Sequence, residues 1–293
     1  MRLLLLVVLP VPLLPRPLLA SSVGKVEGLQ VPAWVQWKDI TLPVMVGMEL
    51  KPGDRLITGN SARLLLRLEE GSLVKLGENA SFTIASWSPP SKKREVLKGF
   101  LKVLCGAFRF TTTALSKQYR REIDVQVASA VAGIRGTDIW GKAEPTRDIV
   151  LLIEGQVTVT RGEDEPVVLD TPLTFYETPK HKPALPVAKV DPEQLKKWAS
   201  ETELTPGQGI LRSDGRWVVS LASVRNMTAI TDQLQVLNKD GYPAEIETVN
   251  LDGEIWHRLV IKGVSSKSEA ASLIERMQER ESFKEAWKYL QKQ

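Results

Sequence analysis

Cysteine is nearly missing from this chain. Cys105 stands alone among 293 residues, so no internal disulfide can form and stability has to come from packing. Histidine is almost as scarce: His181 and His257 are far apart, and neither belongs to a spaced pair of metal ligands. A Cys–His dyad would need a reactive thiol, whereas GFLKVLCGAF around Cys105 reads as a strand with a small buried one. No pair of acids is singled out for glycan cleavage. GQGILR lacks both the preceding strand and the glycine spacing of a dinucleotide loop. The chain therefore reads as non-enzymatic, with no catalytic residues, no metal and no cofactor.

Charge of one sign is also lacking. Lys and Arg number 39 against 35 Asp and Glu, a net +4. Residues 212–293 carry 12 of each sign, which leaves no electrostatic term for capturing nucleic acid. Long hydrophobic runs are absent too. The longest, Leu3 to Leu9, is far below the ~20 residues of a membrane span, and Pro10, Pro12 and Pro15 break up the apolar stretch after it. With Arg2 ahead of it and Ala20 before Ser21-Ser22, residues 1–20 read as a cleavable export signal. Its removal takes away Arg2 and Arg16 and leaves +2. Export without cysteine pairs fits a bacterial periplasm.

The rest of the chain divides into three parts. Residues 22–178 alternate short apolar segments with Gly, Asp, Asn and Ser, as in RLLLRLEEGSLVKLGENASFTIAS. Turn signals every eight to twelve residues predict an all-β domain, a sandwich, barrel or solenoid. SPPSKKRE (88–95) reads as a solvated loop tip. Residues 179–211 are proline-rich and predict a linker, with one short helix started by Asp191 and Pro192. Residues 212–293 change periodicity. WVVSLASV is a strand. Met227, Ile230, Leu234 and Leu237 then fall at helical spacing before Gly241. YPAEIETV and EIWHRLVIKG form a hairpin about Asp252-Gly253. A helix comes next, opened by a Ser266/Glu269 capping box, and EAWKYL is a last strand. The order is β-α-β-β-α-β: a four-stranded antiparallel sheet with both helices on one face and the other face open.

The pattern from WVVSLASV to HRLVIKGVSSKSEA, with Ser223, Arg258, Ser265-Ser266 and Ala270, resembles the SPOR domain, the sporulation-related module of envelope proteins. The chain departs from it at Ser220, Ala222 and Lys262-Gly263, where the family prefers Gln, Gly and Gly-Pro. The resemblance implies binding of peptidoglycan glycan strands stripped of stem peptides. It places Ser220, Ser223, Trp256, Arg258 and, more weakly, Trp287 in the binding set on the open face. An aromatic plate suits a sugar's apolar face, and Arg and Ser donors suit its hydroxyls and carboxylates. A rim or core position for Trp256 and a helix-capping role for Ser223 stay open. Upstream, MELKPGDRLITGNSARLLLRLEEGSLVKLG, AVAGIRGTDIWG and IVLLIEGQVTVT resemble the FecR domain of periplasmic regulators. Its signature falls on Gly53, Asp54, Thr58, Gly71, Ser72, Arg135, Gly136 and Thr137. These are expected to be structural, with Arg135 bonded inside the fold.

The reading is thus a peptidoglycan-associated periplasmic protein. Its first domain scaffolds or contacts envelope or membrane proteins, and relay to a membrane regulator is the alternative. The linker would leave the two domains as tethered units.

Overall fold

The computed structural model describes residues 22–90, 96–112 and 120–291. The expected export signal lies outside them, as do Lys92, Lys93 and Arg94. No helix among the described residues is long and apolar enough to cross a membrane.

The strands of the first domain are β1 (Gly24–Gln30), β2 (Ala33–Trp37), β3 (Ile40–Pro43), β4 (Glu49–Leu50), β5 (Arg55–Thr58), β6 (Arg63–Leu68), β7 (Leu73–Leu76), β8 (Ser81–Ser88), β9 (Val96–Thr111), β10 (Arg120–Val127), β11 (Ala130–Ile134), β12 (Asp138–Ala143), β13 (Arg147–Glu154), β14 (Val157–Arg161), β15 (Val167–Leu169), β16 (Thr174–Pro179) and β17 (Ala188–Lys189). Helix α1 (Pro192–Ser200) and β18 (Leu211–Arg212) connect to the second domain. It comprises β19 (Trp217–Val224), α2 (Thr228–Lys239), β20 (Ala244–Leu251), β21 (Glu254–Val264), α3 (Lys267–Gln278) and β22 (Trp287–Leu290).

Two sheets enclose the core of the first domain. One runs β17-β16-β13-β12-β9-β7-β6-β1. The other runs β3-β2-β5-β8-β9-β10-β11-β14-β15. Strand β9 belongs to both. It changes sheets at Gly106, whose φ of +83° is open to glycine and whose missing Cβ admits Ala80 at 2.5 Å. The alternation visible in the sequence sends Leu64, Leu66 and Leu68 inward from one sheet and Phe82 and Ile84 from the other. Cys105 sits at the crossover and is exposed, against the expectation of a buried thiol. The kink turns this segment outward.

Several signature residues hold turns. Thr58 Oγ1 donates to the Gly77 carbonyl and accepts from Ala80 N, and Asp54 accepts from Lys51 N. Gly53, Gly71 and Gly136 have positive φ, while Ser72 and Thr137 are buried. Arg135 differs: it is exposed rather than bonded inside the fold. It comes after Ile134 at the end of β11, where the strand's alternation points it to water, and it contributes to holding the Glu122 carboxyl below its usual range. There the hydrogen bond from Lys98 acts first.

Residues 179–211 are not a free tether. Trp198 of α1 stacks on Trp140 of β12, with ring centroids 4.9 Å apart and planes 13° from parallel, and covers the outer face of the first sheet. Glu203 pairs with Lys75 and Arg109. Leu211 of β18 then pairs with Leu29 of β1 on one side and Val264 of β21 on the other, so backbone pairing runs from the first domain into the second. Two further bonds cross the junction. Ala33 N donates to the Gly241 carbonyl, and Trp34 Nε1 to the Lys239 carbonyl. Gly241 ends α2 with φ +79°, and a Cβ there would lie 2.7 Å from Trp34.

Candidate glycan-binding face

The C-terminal sheet has the strand order β20-β21-β19-β22, all antiparallel. Ile230, Leu237, Ala270, Leu273 and Met277 of the two helices pack against its inner side with Val219, Leu221, Leu259 and Ile261. Met227 lies at the N-terminal end of α2 and is exposed, so it leaves the expected stripe. Ser266 Oγ accepts from Glu269 N, but the Glu269 carboxylate does not return to Ser266 as a capping box requires. It turns to the preceding loop and accepts from Gly207, Gly209 and Ile210 N, at 2.7, 2.8 and 3.0 Å. This helix start fastens the connecting segment.

The hairpin of β20 and β21 turns at Asp252-Gly253, both with positive φ. It sets Trp256, Arg258, Val260 and Lys262 on the outer face, beside Glu245, Glu247 and Val249. A register shift between Ser220 and Ala222 puts Ser220 and Ser223 on that same face and returns Ala222 to the helix side. Trp256 is thus neither core nor an edge cover: it is partly exposed, with the Arg225 guanidinium 5.2 Å from its ring centroid. Ser223 is exposed opposite Arg258. It does not cap α2, whose start is bonded by Asn226 Oδ1 to Thr228 N.

Side chains cross this face. Arg258 reaches from β21 over β19 to lie 5.3 Å from the ring centroid of Trp287 and 5.7 Å from that of Tyr289. Those rings pack at 5.0 Å. Tyr289 Oη donates to Glu247 Oε2, spanning the whole sheet from β22 to β20. Glu247 also pairs with Lys262, which pairs with Glu245. Beneath this layer Val218, Ser220 and Val260 are fully buried. Ser220 therefore leaves the set of surface contacts: it pairs with Trp287 and lies under the bridge that Arg258 makes. Two polar atoms of the patch, Ser220 Oγ and Arg258 Nε, are buried with no hydrogen-bond partner among the described residues.

Tyr289 and Glu247 escaped the reading of the sequence. The signal for Tyr289 was present, since Trp287 and Tyr289 are two apart on one strand and must share a face. Glu247 needed the strand order. Burial raises the Tyr289 hydroxyl, helped by Glu247, up to about 12. Burial works against the charge on Glu247, but hydrogen bonds from Tyr289 and Lys262 outweigh it and hold its carboxyl below the usual 4.5.

Comparison with known families gives two matches along the chain. Residues 54–158 match the family described as FecR protein, and residues 213–287 match the SPOR domain. The chain joins a FecR domain to a C-terminal SPOR domain. The layer bridged by Arg258 and Tyr289 is the outer sheet face of the SPOR domain, and its match points to peptidoglycan binding; the FecR match points to a regulator-related domain. No curated protein matches the chain. Two crystal structures of a "putative anti-sigma factor" from Parabacteroides distasonis are similar in shape. One is 12% identical over 69% of this chain and 96% of the other, with a TM-score of 0.40. The second is 15% identical over 77% and 90%, with a TM-score of 0.39. Neither bears on function at those values.

Proposed function

We propose that this is an exported, non-enzymatic envelope protein that binds peptidoglycan glycan strands lacking stem peptides through the outer face of its SPOR domain. The FecR domain is its scaffold. The observation that carries the reading is the Arg258–Trp287–Tyr289 stack on that face, with Ser223 and Trp256 beside it. Flat aromatic surface suits a sugar's C–H face, and guanidinium and hydroxyl donors suit its hydroxyls and lactyl carboxylates. Scaffolding is favoured over a free relay by the backbone pairing through β18, which ties the two domains into one frame.

Co-sedimentation of the full chain with amidase-treated sacculi tests this. The unaltered chain is expected to pellet with them and to pellet less with untreated sacculi. A Trp256→Ala, Arg258→Ala variant is expected to lose at least about tenfold in affinity, the scale of a lost stacking contact plus a charge-assisted hydrogen bond. Equal binding by the variant excludes this face as the site.

A further inference from the structure

The glycan-binding face has an end wall, and that wall belongs to the first domain. From Tyr289 the line of contacts passes through Glu247 to Lys262 and Glu245. There the sheet opens into a cavity of about 250 Å³. Glu245 and Lys262 line it from the SPOR sheet, Pro243 from just before β20, Arg212 from the strand that joins the domains, Ser213 from the turn after that strand, and Met45 and Val46 from the turn before β4. At about 30 Å³ of liquid per water molecule, it has room for roughly eight waters, enough for a substituent or part of one sugar ring and too little for a chain.

The wall is fixed. Gly47 N donates to the Val26 carbonyl, Met48 N donates to the Met45 carbonyl, and Gly47 takes the positive φ that this turn needs. Val46 fits against Gly263, where a Cβ would lie 2.7 Å from Val46 Cγ2. The lining is divided in character. Met45 and Val46 are apolar, and Met45 is 42% exposed. The polar lining consists of Arg212, Ser213 and the Lys262–Glu245 pair, held at 2.7 Å. An acetamido group has the same division: a methyl with no hydrogen-bonding capacity, and an amide that donates and accepts.

We infer that this cavity is a subsite for an N-acetylated amino sugar of the glycan, with its methyl against Met45 and Val46 and its amide toward Lys262, Glu245 and Ser213. The FecR-bearing domain would thus complete the binding site of the SPOR domain. This inference rests on the proposed glycan-binding function and gives the first domain a share in recognition.

The test uses the full chain and two probes, amidase-treated glycan strands and the same strands after chemical de-N-acetylation. The unaltered chain is expected to bind the acetylated strands several-fold more tightly. Met45→Ala is expected to weaken binding of acetylated strands about threefold, as loss of contact with one buried methyl predicts, and to leave de-N-acetylated binding unchanged. Met45→Asp, at an exposed position that tolerates charge, is expected to weaken the acetylated strands further. Equal affinity of the unaltered chain and both Met45 variants for acetylated strands, with Trp256→Ala, Arg258→Ala still defective, overturns this inference and leaves the proposed function standing. No binding of either probe by the unaltered chain overturns both.

Discussion

Gly263 shows how one residue records the company a domain keeps. The sequence here departs from the usual Gly-Pro of its family, and nothing in the sequence explains why. In the structure Gly263 has φ +78°, a region closed to proline, whose ring fixes φ at about −65°. Val46 of the other domain occupies the space beside it. Restoring the family residue is therefore expected to harm this protein. Gly263→Pro should destabilise it by about 1–3 kcal/mol, the cost of a strained backbone position, read as a lower midpoint in urea; an unchanged midpoint would show that the junction yields. Ser220 and Arg135 carry a similar lesson. Their residue types were legible, but their surroundings were not: Ser220 is covered by Trp287 and Arg258, which lie far from it in sequence, whereas Arg135 faces water because it follows the buried Ile134 at the end of β11.

At the scale of elements, the outer sheet face behaves as a linked layer. Strand alternation placed Trp256 and Arg258 together, and Trp287 and Tyr289 together. It did not reveal that Arg258 reaches across β19 to Trp287 and Tyr289. The Tyr289–Glu247 bond makes this layer sensitive to pH, with a sign fixed by both partners. Glu247 is held below 4.5, so its contribution is complete above that pH and is lost as pH falls through its lowered value. Tyr289 is raised to about 12, so its contribution is complete below 10 and is lost as pH rises through about 12. Tyr289→Phe removes one of the bonds that lower Glu247, so the Glu247 carboxyl should titrate at higher pH in the variant. Carbon-13 NMR of the side-chain carboxyl reads this directly, and identical midpoints in the two proteins would contradict the link.

The whole molecule is held together at Leu211. A proline-rich stretch of 33 residues reads as a tether, yet α1 is docked by the Trp198–Trp140 stack and β18 is shared between the domains. The fold predicts cooperative unfolding. Calorimetry of the full chain should give a single transition, and Leu211→Pro, which breaks the strand pairing at a fully buried position, should divide it into two. Two well-separated transitions in the unaltered chain would mean that the domains are energetically independent after all.

By itself the sequence determined the local rules: alternation for the strands, 3.6-residue spacing for the helices, Asp252-Gly253 for the hairpin, and the motif series that resembles the two families. These depend on neighbours along the chain, which is why they were readable. Only the tertiary structure decided that Ser220 is covered, that Glu269 fastens a loop rather than its own helix, that Cys105 faces water, and that Met45 and Val46 stand at the end of the outer sheet face. Each of these depends on contacts between segments far apart in sequence. Hydrophobic rhythm specifies which side of an element is buried, but not which partner buries it.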